Sequence, residues 1–157
     1  MPNIGENIEK RASLLEKTQW AADFSWKELH TLARYLSEMK VKVGMPVFEE
    51  GSKEAYMCIV IEGSVRALKH NVKNEAKTLS VITAGKTFGE MALFDREPRS
   101  ARIISAENTT LLVLTNDNLQ RMMAEAPGLA AKLLFKLGKL LSQKLRMTSG
   151  RLVDYME

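Results

Sequence analysis

This sequence predicts an α+β domain, a β-barrel or jelly roll held between N-terminal and C-terminal helices. Apolar residues recur at three- and four-residue steps near both ends of the chain. Between those ends the pattern changes to short strand-like runs with glycines at the corners. At 157 residues, 45% hydrophobic and 27% charged, the chain is ordinary in composition and long enough for a substantial core. One domain over 1–157 is therefore expected, with helices over 1–37, the barrel over 38–115 and helices over 116–157.

The first helical segment runs from Ile8 to about Ala21 and puts Ile8, Ala12, Leu15 and Ala22 on one loose stripe. Ser25 with Glu28 three residues on is a capping box, and it opens a helix whose Trp26, Leu29, Ala33 and Leu36 share a face. Trp20 and Trp26 read as core anchors, because large aromatic side chains dominate core burial.

The strands follow. Val41-Lys42-Val43 precedes Gly44, Val47-Phe48 precedes Glu50-Gly51-Ser52, and Tyr56 to Ile61 precedes Glu62-Gly63. Ser64 to His70 and Lys77 to Ile82 flank a polar loop and read as a hairpin. The single cysteine, Cys58, lies inside an apolar run and reads as a small buried hydrophobe. Arg102 to Ala106 and Thr110 to Leu114 complete the set.

Before those last two strands stands the stretch on which the chain is organised, Phe88-Gly89-Glu90-Met91-Ala92-Leu93-Phe94-Asp95-Arg96-Glu97-Pro98-Arg99-Ser100-Ala101. Gly89 can take a backbone conformation closed to other residues and lets main chain approach a ligand. Glu90 to Phe94 is long enough for about one helical turn, whose free N–H groups form an anion site. Arg99 supplies a permanent charge on a planar donor fork suited to phosphate, and Ser100 adds a hydroxyl. Glu90 can accept hydrogen bonds from a sugar diol. Together they ask for a small molecule carrying a phosphate and a ribose; the plainer alternative is an internal Glu90–Arg99 ion pair bracing a turn.

The chain ends in helices. Thr115 can cap a helix from Asn116 to about Glu125, and Pro127 suits the first turn of the next. From Gly128 to about Met147, Ala130, Leu133, Leu134, Leu137, Leu141 and Leu145 lie on one face. Lys132, Lys136, Lys139 and Lys144 lie off it and read as a solvated flank, the sharper readings being a membrane-surface helix or a partner surface. Gly138 in mid-helix costs roughly 1 kcal/mol relative to alanine, which implies close packing or a bend. Ser149-Gly150 reads as a helix end about which the tail can pivot.

Several function classes fall away. The net charge of +4 permits acidic partners without arguing for them. A metal-dependent barrel enzyme needs clustered ligands, and the two histidines, His30 and His70, have no close-spaced companions. No metal site, cofactor or nucleophile–base pair stands out, so no enzyme is expected. The N-terminus lacks a secretion signal and no apolar run approaches a transmembrane length, so a cytoplasmic address is expected.

The stretch F-G-E-M-A-L, a four-residue turn, then P-R-S-A resembles the phosphate-binding cassette of the cyclic nucleotide-binding domain family, of the type found in the catabolite activator effector domain. The nine-residue step from Glu90 to Arg99 matches the family pattern without a gap. The resemblance extends from about Leu36 to Leu145 and implies a double-stranded β-helix (jelly-roll) barrel. Gly51-Ser52 departs from the family's frequent Gly-Asp, which is expected to weaken one corner and not the site.

By this resemblance Glu90 holds the ribose 2′-hydroxyl and Arg99 pairs with the cyclic phosphate. Gly89, Ala92, Ser100 and Ala101 complete the cradle, with Phe88 and Met91 in the candidate ligand-binding set. The family's threonine after the arginine favours the guanine ligand, and Ser100 lacks that methyl, so cyclic AMP is expected ahead of cyclic GMP. Related domains cover the base with a C-terminal helix, for which Leu145, Arg146, Leu152 and Tyr155 are candidates.

The implied protein is a stand-alone sensor that passes ligand binding through its C-terminal helices to a protein partner or a second copy. DNA binding is not expected, since the ten residues from Thr148 to Glu157 cannot build a helix-turn-helix domain. The competing reading is a degenerate barrel that serves as an interaction module without nucleotide.

Overall fold

The computed structural model describes residues 4–156 and divides into two compact units, 1–119 and 120–157. The first unit opens with α1 (Ile4–Glu16), a 3-10 turn (Gln19–Ala22) and α2 (Trp26–Ala33). The Ser25 capping box is present in full, with Ser25 Oγ accepting from the Glu28 amide and Glu28 Oε1 accepting from the Ser25 amide. Trp20 is 1% exposed, and its indole N–H donates to the Gly85 carbonyl at 3.1 Å. Trp26, expected in the core, is 46% exposed and meets His30 edge-on at 4.7 Å, because the first position of α2 falls outside the buried stripe of Leu29, Leu32 and Ala33. Ala22 is exposed as well, since the chain leaves the regular helix after Glu16.

Eight strands follow among the described residues: β1 (Ser37–Val41), β2 (Pro46–Phe48), β3 (Tyr56–Glu62), β4 (Ser64–His70), β5 (Ala76–Thr83), β6 (Thr87–Phe88), β7 (Arg102–Ser105) and β8 (Thr109–Thr115). They form two antiparallel four-stranded sheets, ordered β1-β8-β3-β6 and β2-β7-β4-β5. The core lies between them: Cys58, Val60, Phe88, Leu111 and Val113 come from one sheet, and Phe48, Val65, Ala67 and Ile103 from the other. The expected barrel is therefore a pair of facing sheets of jelly-roll type, with no strand pairing that closes one onto the other among the described residues.

β1 begins four residues before the expected Val41, because its pairing with β8 runs from Ser37 to Val41 and Lys42 already belongs to the Gly44 turn. The hairpin from β4 to β5 forms as expected, its tip closed by Asn71, whose Oδ1 accepts from the Lys73 and Glu75 amides. The first unit also holds α3 (Glu90–Asp95) and the start of α4 (Asn116–Glu125), capped by Thr115 Oγ1 on the Asn118 amide at 3.1 Å.

The second unit holds the rest of α4 and α5 (Pro127–Tyr155), which has Pro127 in its first turn. Ala130, Leu133 and Leu137 are buried, Leu134 and Leu141 half-buried and Leu145 exposed, so the apolar face loses its cover toward the C-terminus. Gly138 does not mark close packing: a Cβ there would meet nothing within 4 Å. Ser149-Gly150 is not a helix end either. Gly150 lacks the positive φ of a glycine cap, and α5 continues through it to Tyr155.

Candidate functional site

β6 is only two residues long and pairs with β3 through Phe88 opposite Cys58 and Thr87 opposite Ile59. It aims the chain into Gly89, the N-cap of α3, whose φ is +80°. Only glycine fits there: a Cβ would lie 2.8 Å from Arg99 Nη1 and 3.0 Å from the Tyr56 carbonyl. After α3 the chain turns through Arg96, whose amide donates to the Ala92 carbonyl, and Asp95 Oδ1 accepts from the Glu97 amide at 2.9 Å.

Arg99 is fixed at both its main chain and its side chain. Its amide donates to the Ser52 carbonyl and its carbonyl accepts from the Gly51 amide, each at 2.8 Å. The corner at Gly51-Ser52 is thus hydrogen-bonded to the arginine's main chain, through groups that do not depend on the side chain at position 52. Ser52 supplies the turn's own bond, Oγ to the Glu49 carbonyl at 2.8 Å.

The guanidinium is 5% exposed at residue level and lies over two rings, 4.0 Å from the Phe48 centroid and 4.7 Å from that of Tyr56. Nη1 donates to the Gly89 carbonyl at 3.1 Å and Nη2 to the Tyr56 carbonyl at 2.6 Å. Nε is buried with no hydrogen-bond partner among the described residues. Burial pulls the Arg99 pKa below its ordinary value, opposed by the neighbouring Tyr56, Cys58 and Glu54.

Glu90 opens α3, is 4% exposed, and accepts a hydrogen bond from Thr87 Oγ1. Cys58 is fully buried as expected; burial pushes its thiol well above the ordinary range, with Arg99 opposing and Glu90 adding to the shift. The candidate site therefore joins a buried Glu90, the residue after Gly89, to a buried Arg99 bonded to the Gly89 carbonyl.

The other expected residues divide. Ala92 is buried, Ser100 exposed and Ala101 half-buried, all within the same turn system. Met91 is exposed, while Phe88 points into the inter-sheet core, 5.9 Å from Phe48, and supports the site from below. Leu145, Arg146 and Leu152 are exposed on α5, and the Tyr155 side chain lies outside the described residues. Sequence reasoning missed Phe48, Tyr56 and Thr87. Thr87 alone carried a signal, three residues before Glu90; the rest meet the site only through pairing of distant segments.

No group of three or more His, Cys, Asp or Glu suited to a metal ion occurs among the described residues, and no helix there is long and apolar enough to cross a membrane.

The profile of the cyclic nucleotide-binding domain matches residues 38–126. The cyclic AMP receptor protein of Thermus thermophilus is 28% identical over 120 residues, covering 76% of this chain and 54% of that protein. A cGMP-dependent protein kinase of Plasmodium berghei is 33% identical over 108 residues, 69% of this chain and 12% of the kinase. The crystal structure of a cyclic nucleotide-binding domain from Methylobacillus flagellatus aligns with a TM-score of 0.82 at 26% identity, covering 98% of this chain and 86% of that one. The chain spans about half the length of the first curated relatives it matches.

Proposed function

The chain belongs to the cyclic nucleotide-binding domain family, and on that premise we propose that residues 88–101 bind a cyclic nucleotide and that the protein is a sensor, not a catalyst. The carrying observation is the buried Arg99 guanidinium, stacked on two rings and bonded to the carbonyl of Gly89, the residue that precedes a buried Glu90. Arg99 takes the cyclic phosphate, Glu90 the ribose 2′-hydroxyl, and main-chain amides at Ala92, Ser100 and Ala101 complete the cradle. Cyclic AMP is preferred over cyclic GMP: Ser100 brings a hydroxyl without a methyl, and a relative named as a cyclic AMP receptor supports that order.

Output runs through the C-terminal helices. Leu134, Gly138, Leu141, Leu145, Thr148 and Leu152 follow alternating steps of four and three along α5, the spacing of a coiled-coil seam, and Leu145 and Leu152 are exposed. This supports a second copy of the chain as the partner. The same exposed residues, with Arg146, are available to cover the base.

Thermal unfolding with and without each nucleotide tests the reading, because a ligand that binds only the folded state stabilises it by about 2.7 kcal/mol at a hundred times its Kd. A raised Tm with cyclic AMP is expected. No shift with either nucleotide sinks the proposal and leaves an interaction module.

A further inference from the structure

We infer that Asn116 is a positioning residue for ligand binding, clamping the turn after α3 to the start of α4 so that Glu90 and Arg99 keep their spacing. The inference rests on the proposed nucleotide site and assigns that site a regulator outside the 88–101 segment.

The observation that calls for it is Arg96. Its φ is 56° and ψ 19°, a left-handed conformation that residues with a Cβ rarely adopt. It lies on the connection from Glu90 to Arg99, so its backbone contributes to how those two groups are spaced. Something must hold it, and Asn116 does. Arg96 Nη2 donates to Asn116 Oδ1, while Asn116 Nδ2 donates to the Leu93 carbonyl at 2.6 Å. One side-chain amide thereby joins a carbonyl of α3 to the charged turn beyond it. An aspartate offers no donor to Leu93 and an alanine offers neither group, so the amide is required.

Asn116 has a third attachment. Its own amide donates to the Ala55 carbonyl at 2.9 Å, next to Tyr56, whose carbonyl receives Arg99. Asn116 is 7% exposed, so its bonds are shielded from competing water. As the first residue of α4 it connects the ligand cradle to the helix that follows. Asp117 adds a weaker hold on Arg96, at 3.9 Å.

Calorimetry with cyclic AMP on the full chain tests this. Asn116→Ala, which removes both side-chain hydrogen bonds, should weaken binding about tenfold or more. Arg96→Ala, on a mostly exposed side chain that leaves the core intact, should weaken it several-fold, and the double variant should do no worse than Asn116→Ala alone. Ligand-free hydrogen exchange of both single variants should quicken in 88–99 while the inter-sheet strands keep their protection, which general destabilisation does not produce. Wild-type affinity in Arg96→Ala, or effects that simply add, overturns the clamp, and Arg96→Ala decides alone if Asn116→Ala does not fold. A wild-type chain that binds neither nucleotide removes the site reading and the clamp together; a binding wild type with unaffected variants removes the clamp only.

Discussion

Tyr56 grips Arg99 twice: its carbonyl accepts from Nη2 at 2.6 Å, and its ring lies 4.7 Å beneath the guanidinium carbon. With Phe48 on the same guanidinium, three of the four contacts that orient the arginine come from residues at least 40 positions away in sequence. These contacts fix the fork's orientation from segments distant in sequence.

Arg99→Ala should weaken cyclic nucleotide binding between roughly thirty-fold and a few thousand-fold, the equivalent of about 2–5 kcal/mol for a truncated buried charge partner. Arg99→Lys should recover little, since an ammonium cannot fork or stack as the guanidinium does. Calorimetry reads both, and near-wild-type affinity in the alanine variant removes Arg99 from the site.

Glu90 should make the protein prefer a ribose with a free 2′-hydroxyl, because a 2′-deoxy ligand leaves a buried carboxylate short of a partner. In Glu90→Gln the preference should shrink. Competition between cyclic AMP and its 2′-deoxy analogue measures it, and equal affinities in the wild type end that role.

Gly89→Ala should destabilise the fold by about 1–3 kcal/mol, since the new methyl enters a left-handed backbone and crowds both Arg99 and Tyr56. Urea unfolding gives the stability and calorimetry the affinity, which should fall with it. A neutral substitution contradicts the close approach at this turn.

Alkaline pH should weaken the fold. Burial raises the pKa of the Cys58 thiol and of the Tyr56 phenol above their ordinary values of 9.0 and 10.0. The unfolded chain therefore releases these protons first, so the contribution is complete below pH 9 and lost as pH rises beyond it. For the buried Cys58 the slope approaches about 1.4 kcal/mol per pH unit at most. Urea midpoints from pH 7 to 10 should fall at the alkaline end, and less steeply in Cys58→Ala.

Leu145→Glu and Leu152→Glu should yield a monomer if α5 pairs with a second copy, because each puts a charge on the apolar seam. Sedimentation of the wild type and both variants decides it. A wild type that sediments as a monomer at all concentrations rules out the homodimer.

The helices and most strands were legible because each is a local pattern: the Ser25 box, the Thr115 cap and the apolar run of β3 need no distant partner. The Glu90-to-Arg99 cassette was legible for the same reason, being one continuous segment. β6 was not, since two residues carry no periodicity. Trp26 and Ser149-Gly150 misled because residue type sets a preference that position overrides: Trp26 faces outward at a helix start, and helical neighbours carry the chain through Gly150. Phe48, Tyr56 and Asn116 reach the site through sheet pairing and a side-chain clamp, which no single window of sequence contains.

The two main-chain bonds that tie Gly51 and Ser52 to Arg99 also govern where the chain tolerates additional residues. Two surface turns look equally open to insertion, the corner at 49–54 and the hairpin tip at 71–75. Among the described residues the tip's hydrogen bonds close on Asn71 and do not reach the site, so a loop or reporter sequence spliced between Val72 and Lys73 should stay a local event. The corner is different, because lengthening it pulls on the backbone of Arg99, and under the proposed function a change there should register as lost affinity in a segment distant from it in sequence.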